Sequence, residues 1–214
     1  MQAKIRVENW DVESRLRQLG LSRKELIDVV KASVAQHAFC SDNDPPNARG
    51  FESWRWGVRK LREIYRAKDE WDKDDTRGFS TIVNRKLKVR VAVMNSDGGA
   101  GTLDAVPQNR SRKGAASEEV SIINQQLELG GSDWAPVPDE NQGFEDYETW
   151  HLCIYIAGDV VRAELSRLHG FEAGYFTDCF EKIILLAPGD WEKQDFRDGS
   201  DDLGPDFAVE VTRK

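Results

Sequence analysis

Hydrophobic residues recur every three or four positions at the start of the chain, the spacing of one helix face. The first such pattern predicts a short helix over 11–19. The second predicts a longer helix over 22–39, with Ser22 in the N-cap position and Glu25 three residues later, the arrangement of a capping box. The apolar stripe of this second helix consists of Leu26, Ile27, Val30, Val34 and Ala38.

A third helix is predicted over 51–68, and it carries two parallel stripes. The apolar stripe consists of Phe51, Trp54, Val58, Leu61 and Tyr65, which we expect to pack on the core. The second stripe consists of Arg55, Arg59, Arg62 and Arg66, spaced four, three and four residues apart. At about 100° per residue these arginines align along one side of the helix, where like charges repel unless an anion lies nearby.

Alternating patterns later in the chain predict strands. Between 86 and 93, Leu87, Val89, Val91 and Val93 alternate with mostly basic residues, which predicts a half-buried strand with a basic outer face. The pattern around Ile82 and Val83 does not decide between helix and strand. A helix is predicted from Ser117 to about Gly130, with Val120, Ile123 and Leu127 facing inward.

The clearest β pattern is a hairpin whose two strands flank Gly158 and Asp159. In the predicted register Leu152 lies opposite Leu165 on an apolar face. The other face is expected to be half-exposed and polar, and it carries His151, Cys153, Tyr155, Arg162, Glu164 and Ser166. A histidine near a carboxylate and a hydroxyl is one candidate acid–base pair, although ordinary cross-strand polar pairs have the same pattern.

Helices come mainly first and strands mainly last, which predicts an α+β fold with N-terminal helices on a mainly antiparallel sheet formed largely by the C-terminal half. Further strands are predicted at 183–186 and 207–211, separated by an acidic stretch over 190–206. We expect residues 1–214 to form a single domain. A division of the chain near 130–147 remains open, because that segment is rich in glycine, proline, aspartate and asparagine.

The composition narrows the class of protein. At 214 residues the chain is long enough for a core without metals or disulfides. No stretch is apolar enough to span a membrane, and Met1–Glu8 places charges where a signal peptide would be apolar. The cysteines, Cys40, Cys153 and Cys179, are odd in number and widely spaced, which is typical of free thiols in a reducing compartment. We therefore expect a cytoplasmic protein with no membrane partner.

The net charge of −8 is unevenly distributed along the chain. Residues 1–48 carry no net charge, residues 49–113 carry +7 and residues 114–214 carry −15. Such asymmetry is a clue to partners rather than to fold. The basic and acidic regions face each other in the fold, or simply keep the surface solvated, or mark binding surfaces, and the sequence leaves these interpretations open.

The basic middle region contains the leading candidate site. Arginines beside aromatic residues suit phosphate contact and base stacking, and a basic loop before a helix suits an anion. We expect a non-catalytic binding protein that contacts a polyanion, with nucleic acid the leading ligand. The candidate residues are Arg55, Arg59, Arg62, Arg66, Lys86, Lys88, Arg90, Arg110, Arg112 and Lys113.

The glycine-rich turn over 97–101 supports an alternative function. Gly98, Gly99 and Gly101 would let backbone N–H groups approach a phosphate, as in nucleotide sites. The chain would then be an enzyme acting on a nucleotide or a phosphorylated small molecule. The usual helix does not follow directly, since Pro107 and a polar loop come next, which makes a simple strand exit the competing interpretation.

A third hypothesis is a protein-interaction or assembly factor whose acidic C-terminal third meets a basic partner. Known catalytic and metal-binding motifs do not help to choose. The sequence has no phosphate loop, no nucleophile elbow, no His-Glu-x-x-His and no Cys-x-x-Cys. We therefore expect neither a metal nor a cofactor, and the sequence indicates no oligomeric state.

Overall fold

A computed structural model describes residues 3–130, 144 and 146–193 of the chain. Four helices and seven strands are present in these residues. The helices are α1 (Asn9–Gln18), α2 (Arg23–Phe39), α3 (Ala48–Tyr65) and α4 (Ala115–Glu128). The strands are β1 (Lys4–Arg6), β2 (Trp71–Asp74), β3 (Thr81–Asn84), β4 (Val89–Asn95), β5 (Glu148–Ala157), β6 (Val160–Glu172) and β7 (Tyr175–Leu186).

All seven strands form one mixed sheet in the order β1-β7-β6-β5-β4-β3-β2. The pairs β1–β7 and β4–β5 are parallel, whereas the other four pairs are antiparallel. The predicted α+β class is confirmed, with helices mainly in the N-terminal part and the long strands in the C-terminal half. The pair β4–β5 joins strands from either side of residues 130–147.

The largest core lies between one face of the sheet and helices α1, α2 and α3. The predicted hairpin is confirmed as β5–β6, and Leu152 pairs with Leu165 as the alternation required. These inward residues, with Trp150, Val91 and Val93, meet the apolar stripes of the helices. Hydrophobic periodicity was sufficient to predict this interface, because both the helices and the hairpin strands show the pattern in their sequence.

The prediction of a half-exposed opposite face was wrong for most of that face, and only Tyr155 and Arg162, near the hairpin turn, are partly exposed among its predicted residues. Helix α4 and the loop over 96–114 cover it, and His151, Cys153, Glu164 and Ser166 are all buried. Arg90 is also buried, which overturns the expectation of a basic outer face on this strand. A sequence pattern shows that a face is polar, but it does not show whether another element lies over that face.

Several boundaries differ from the predicted ones. Strand β4 begins at Val89, so Lys86 and Lys88 lie in the exposed β3–β4 turn. Strands β1 and β2 were not predicted, because short strands with charged residues carry little periodic signal. Ser22 is the N-cap of α2, but its side chain makes no capping hydrogen bond. The strand predicted at 207–211 and most of the acidic stretch over 190–206 lie outside the described residues.

Cys40, Cys153 and Cys179 are free and buried, as the cysteine spacing predicted. Burial raises the pKa of the Cys179 thiol to about 12 and that of Cys153 well above its usual range. Because the thiolate is the reactive form, these two thiols are poor nucleophiles. Among the helices of the described residues, none is both long enough and apolar enough to pass through a bilayer.

Candidate anion-binding cleft

The candidate site lies where the sheet is incomplete. Strand β3 begins at Thr81, which pairs with Ala92, so the last three residues of β4 have no partner on that side from β3. The chain returns to this edge only at Arg110, whose N–H donates to the carbonyl of Asn95 (3.1 Å). A cavity of about 400 Å³ fills the gap, with Val93 and Met94 in its wall.

Two further cavities adjoin this central one. A cavity of about 650 Å³ follows the outer side of α3, and one of about 610 Å³ lies between the start of α3 and the loop around Arg110. Trp54 lines all three, Ser80 is shared by the first pair, and Lys113 is shared by the central cavity and the third. We call the three cavities together the Trp54 cleft.

The α3 side of the cleft is formed by the predicted arginine stripe, since Arg55, Arg59, Arg62 and Arg66 all line it. Three of the four have carboxylate partners, which lie three, four and thirteen residues away in the sequence. Arg55 pairs with Glu52 (2.7 Å), Arg59 pairs with Glu63 (2.7 Å) and Arg62 pairs with Asp75 (2.6 Å). The acidic C-terminal third, in its described part, does not cap this stripe.

Arg62 differs from the other three because it also holds the backbone. Its Nη2 donates to the carbonyl oxygens of Asp74 (3.1 Å) and Thr81 (3.3 Å), which fixes α3 against β2 and β3. The hydrogen bond from Arg62 lowers the pKa of the Asp75 carboxyl below its usual range. Arg59, by contrast, is 55% exposed and lies 4.6 Å from the centroid of the Trp56 ring.

The loop side of the cleft is positioned by one buried asparagine. The Nδ2 of Asn109 donates to the carbonyls of Ser111 (2.8 Å) and Gly174 (2.8 Å), and its Oδ1 accepts from the N–H of Phe176 (3.0 Å). These bonds tie the loop to the β6–β7 turn. Arg110 and Lys113 are thereby held at the cleft, where burial lowers the pKa of Lys113.

Helix α4 begins at the edge of the central cavity. Gly114 is its N-cap in extended conformation, and no side chain caps the helix. Ala115, Ala116 and Ser117 line the cavity, so the positive end of the helix dipole faces it. His151 lies in the same wall, only 2% exposed, and neither ring nitrogen has a hydrogen-bond partner in the described part of the chain. Burial, with a contribution from the charge of Lys113, lowers the pKa of His151 to about 3.

The cleft carries an excess of cations. Among the described residues, eight cations line it, and five of them pair with carboxylates, four of which lie just outside the lining. The eight cations are Arg49, Arg55, Arg59, Arg62, Arg66, Arg77, Arg110 and Lys113. Within the part of the chain that the structure describes, Arg66, Arg110 and Lys113 have no carboxylate at salt-bridge distance.

Four of the predicted basic residues lie elsewhere. Arg90 is buried, 3.4 Å from Asp74 and packed against the rings of Phe144 and Tyr147. Lys86 and Lys88 lie at the far end of β4 from the cleft. Arg112 is exposed, and its side chain packs beside Gly174 at the β6–β7 turn. Only some of the cations of residues 49–113 therefore lie together at the Trp54 cleft.

The glycine-rich turn folds over β6 rather than opening toward the cleft. The N–H of Gly101 donates to the buried Glu164 carboxylate (2.6 Å), and Asp97 Oδ1 accepts from the N–H groups of Gly99 (3.1 Å) and Gln108 (3.0 Å). Gly101 has a φ of +73°, and a Cβ there would lie 2.5 Å from the carbonyl oxygen of Leu186. Gly98 is exposed, with its nearest neighbour Arg162.

Two site features were not predicted from the sequence. His151 was assigned to a half-exposed hairpin face, and Arg49 and Arg77 were not selected at all. The helical spacing of the α3 stripe and the basic loop before α4 were the local signals for the cleft. Nothing in the sequence marks the gap beside β4, because it depends on where β3 starts relative to its neighbour. No group of three metal-ligating side chains suited to an ion occurs among the described residues.

Comparison of the chain with protein-family models, with curated proteins and with solved structures gave no significant match. The function is therefore argued from the geometry and charge of the cleft.

Proposed function

We propose that this protein binds a polyanion, nucleic acid in particular, along the Trp54 cleft, and that it does so without catalysis. The observation that carries the proposal is an excess of cations along the cleft. Of the eight described cations that line it, five pair with carboxylates, whereas Arg66, Arg110 and Lys113 have no carboxylate at salt-bridge distance among the described residues. A groove lined by one sign of charge focuses the field and attracts the opposite charge. Phosphate groups spaced along a strand match cations spaced along a groove.

The aromatic residues of the cleft favour a single strand over a duplex. Phe51 is 52% exposed and lies 6.0 Å from the Trp54 ring, and both residues line the cleft. Bases can stack on such rings only when they are unpaired, and stacking on aromatic side chains beside a basic groove is the common means of binding single strands. Free buried thiols fit a cytoplasmic protein, where such strands occur.

The test is fluorescence anisotropy with labelled single-stranded DNA and RNA over about 50 to 200 mM salt. We expect the logarithm of the binding constant to fall linearly with that of the salt concentration, with a slope of about −0.7 per phosphate neutralised. Changing Arg59 and Arg66 together to glutamine should reduce the slope by about 1.4, since two contacts are lost. Both residues are exposed, so the free energy of unfolding should change by less than about 0.5 kcal/mol.

The matched control is Arg17→Gln with Lys24→Gln. It removes the same charge from exposed positions on α1 and α2, outside the cleft. An equal loss of binding in the control and the cleft variant would refute the cleft as the binding surface. Absence of binding to either nucleic acid at the lowest salt would remove the proposed function.

The two other hypotheses stay predictions and gain less support. An enzyme using the turn over 97–101 would need free N–H groups there, yet the Gly101 N–H donates to Glu164. An assembly factor using the acidic third would need free carboxylates. Several described ones are engaged within the fold, namely Glu128 and Glu148 with Arg167, Glu164 with Lys182 and Glu181 with Arg15.

A further inference from the structure

We infer that the central cavity of the cleft binds the phosphate monoester of a nucleotide, with the phosphate at the start of α4 and His151 hydrogen-bonded to the ligand. The nucleotide is either free or the terminal residue of a strand. The strand-end form rests on the proposed function, whereas the free form does not. The two sources share one chemistry, and the experiment below separates them.

The first support is the helix terminus. The N–H groups of Ser117 and Glu118 donate to the carbonyl of Gly114, whereas those of Ala115 and Ala116 precede any intrahelical acceptor. Both alanines line the cavity, and neither has a side chain that could block an approaching anion. A helix of fourteen residues also presents a full dipole there.

The second support is independent of the helix. His151 is on β5, its ring lies 4.8 Å from that of Phe176, and neither of its nitrogens has a hydrogen-bond partner among the residues that the structure describes. Leaving a buried polar group unsatisfied is costly, and such groups are uncommon in native proteins. Because the ring lines the cavity, a bound ligand can supply the missing partner.

The charged groups that line the central cavity favour a ligand with two negative charges. Lys113 and Arg77 line it together with the helix terminus, and Glu119, which pairs with Arg77, offsets part of this charge. A phosphate monoester carries a charge between about −1.5 and −2 at neutral pH and offers three terminal oxygens. An internal phosphodiester carries a single charge and a carboxylate has only two oxygens, so the monoester uses the donors more fully.

The remaining walls suit a nucleoside. Trp54, Phe79 and Phe176 surround the volume of about 400 Å³, with Ala92, Val93 and Met94 on the sheet side. Cavities that hold small ligands span about 300 to 1,000 Å³ and combine apolar walls with a few polar groups. The cavity shares lining residues with both neighbouring cavities, so a terminal nucleotide could continue into a strand along the cleft.

The experiment compares ligands that differ only by the monoester. In one arm, calorimetry measures binding of adenosine 5′-monophosphate, with adenosine and inorganic phosphate as comparisons. In the other, anisotropy measures strands of one sequence phosphorylated at the 5′ end, at the 3′ end or at neither. We expect the monoester to tighten binding at least about tenfold in one arm, as charge-assisted hydrogen bonds require.

The outcomes separate the two proposals. Equal binding of all strands, with no binding of the mononucleotide, overturns the inference and leaves the proposed function standing. Binding of the mononucleotide without binding of any strand supports the inference and removes the proposed function. Preference for one phosphorylated end supports both. Failure of every ligand overturns both.

Variants place the ligand within the cavity. Lys113→Gln and His151→Phe should each lower the gain from the monoester at least about fivefold, since each removes one donor. Arg59→Gln, on the α3 side of the cleft, should leave that gain unchanged while it weakens strand binding generally. A gain that responds to Arg59 and not to Lys113 or His151 would place the phosphate elsewhere and refute the inference.

Gly114 provides a pair of variants that protects the test against misfolding. A Cβ at this position meets nothing within 4 Å, and its extended backbone is that of a normal N-cap. Gly114→Asp and Gly114→Asn should both keep or raise the melting temperature, because each side chain caps the helix. The aspartate should abolish the gain from the monoester by repulsion, at least about tenfold more than the asparagine. Equal effects on binding would contradict a phosphate at this terminus.

Discussion

Two polar clusters lie under the same face of the sheet, and they differ in how far the protein satisfies them. In one, Lys182 lies 3.3 Å from Glu164 and donates to the carbonyls of Thr102 and Ala105, while Gly101 and Ser166 donate to Glu164. In the other, His151 has no partner and Lys113 has no carboxylate among the described residues.

The difference separates a structural cluster from a candidate binding cluster. Burial raises the pKa of Glu164, but the lysine and the loop supply every bond that the charges need. The first cluster holds the turn over 97–101 on the sheet, which explains why that turn does not face the cleft. The second cluster contains hydrogen-bond donors that no described residue satisfies, and these donors face a cavity. The charges of the two clusters alone would not have distinguished one from the other.

The largest expected effect comes from breaking the satisfied cluster. Lys182→Met leaves the Glu164 carboxylate buried without its cation and frees the loop carbonyls, which should lower the free energy of unfolding by about 3–5 kcal/mol. Urea denaturation of the purified variant measures it. The double variant Lys182→Met with Glu164→Leu should be more stable than the single one, because no unpaired charge remains. If the single variant loses less than about 1 kcal/mol in its free energy of unfolding, Lys182 and Glu164 do not form a structural cluster.

The second effect tests the unsatisfied cluster through its pH dependence. The pKa of His151 is about 3 in the folded protein and about 6.5 when the ring is exposed, so the unfolded chain binds more protons in between. The contribution of neutral His151 to the free energy of unfolding is therefore fully present above pH 6.5. It is lost as the pH falls below that value, by up to about 1.4 kcal/mol per pH unit. His151→Phe should remove this slope, which urea denaturation at about pH 7, 6, 5 and 4 measures. Parallel curves for the two proteins would show that His151 titrates normally.

The smallest expected effect tests the loop that the satisfied cluster anchors. Gly101→Ala forces a side chain into left-handed backbone and against the Leu186 carbonyl, which should lower the free energy of unfolding by about 2 kcal/mol. Gly98→Ala is the matched control, since its Cβ would meet nothing closer than 3.4 Å and its φ is not positive. The control should stay within about 0.5 kcal/mol of the parent protein. Similar thermal and urea stability for both variants would show that the turn is not held as described.

Some residues of the site could be predicted from the local sequence pattern, whereas the position of others depends on the three-dimensional fold. The arginine stripe of α3 could be read from spacing alone, since helix geometry fixes which residues share a side. Lys113 and Arg110 could be selected as cations before a helix, but not placed. Arg90 has the same local pattern as an exposed strand residue and is buried, with the rings of Phe144 and Tyr147 packed against its guanidinium.

The sequence by itself determined the α+β class, the three N-terminal helices, the register of the β5–β6 hairpin and the cationic side of α3, because each follows from periodicity over neighbouring residues. Only the tertiary structure decided that the polar hairpin face is covered, that β3 starts late and leaves a gap beside β4, and that His151 lies in the wall of that gap. These features arise from elements far apart in the chain, and their packing is set by the sum of many contacts rather than by any local pattern.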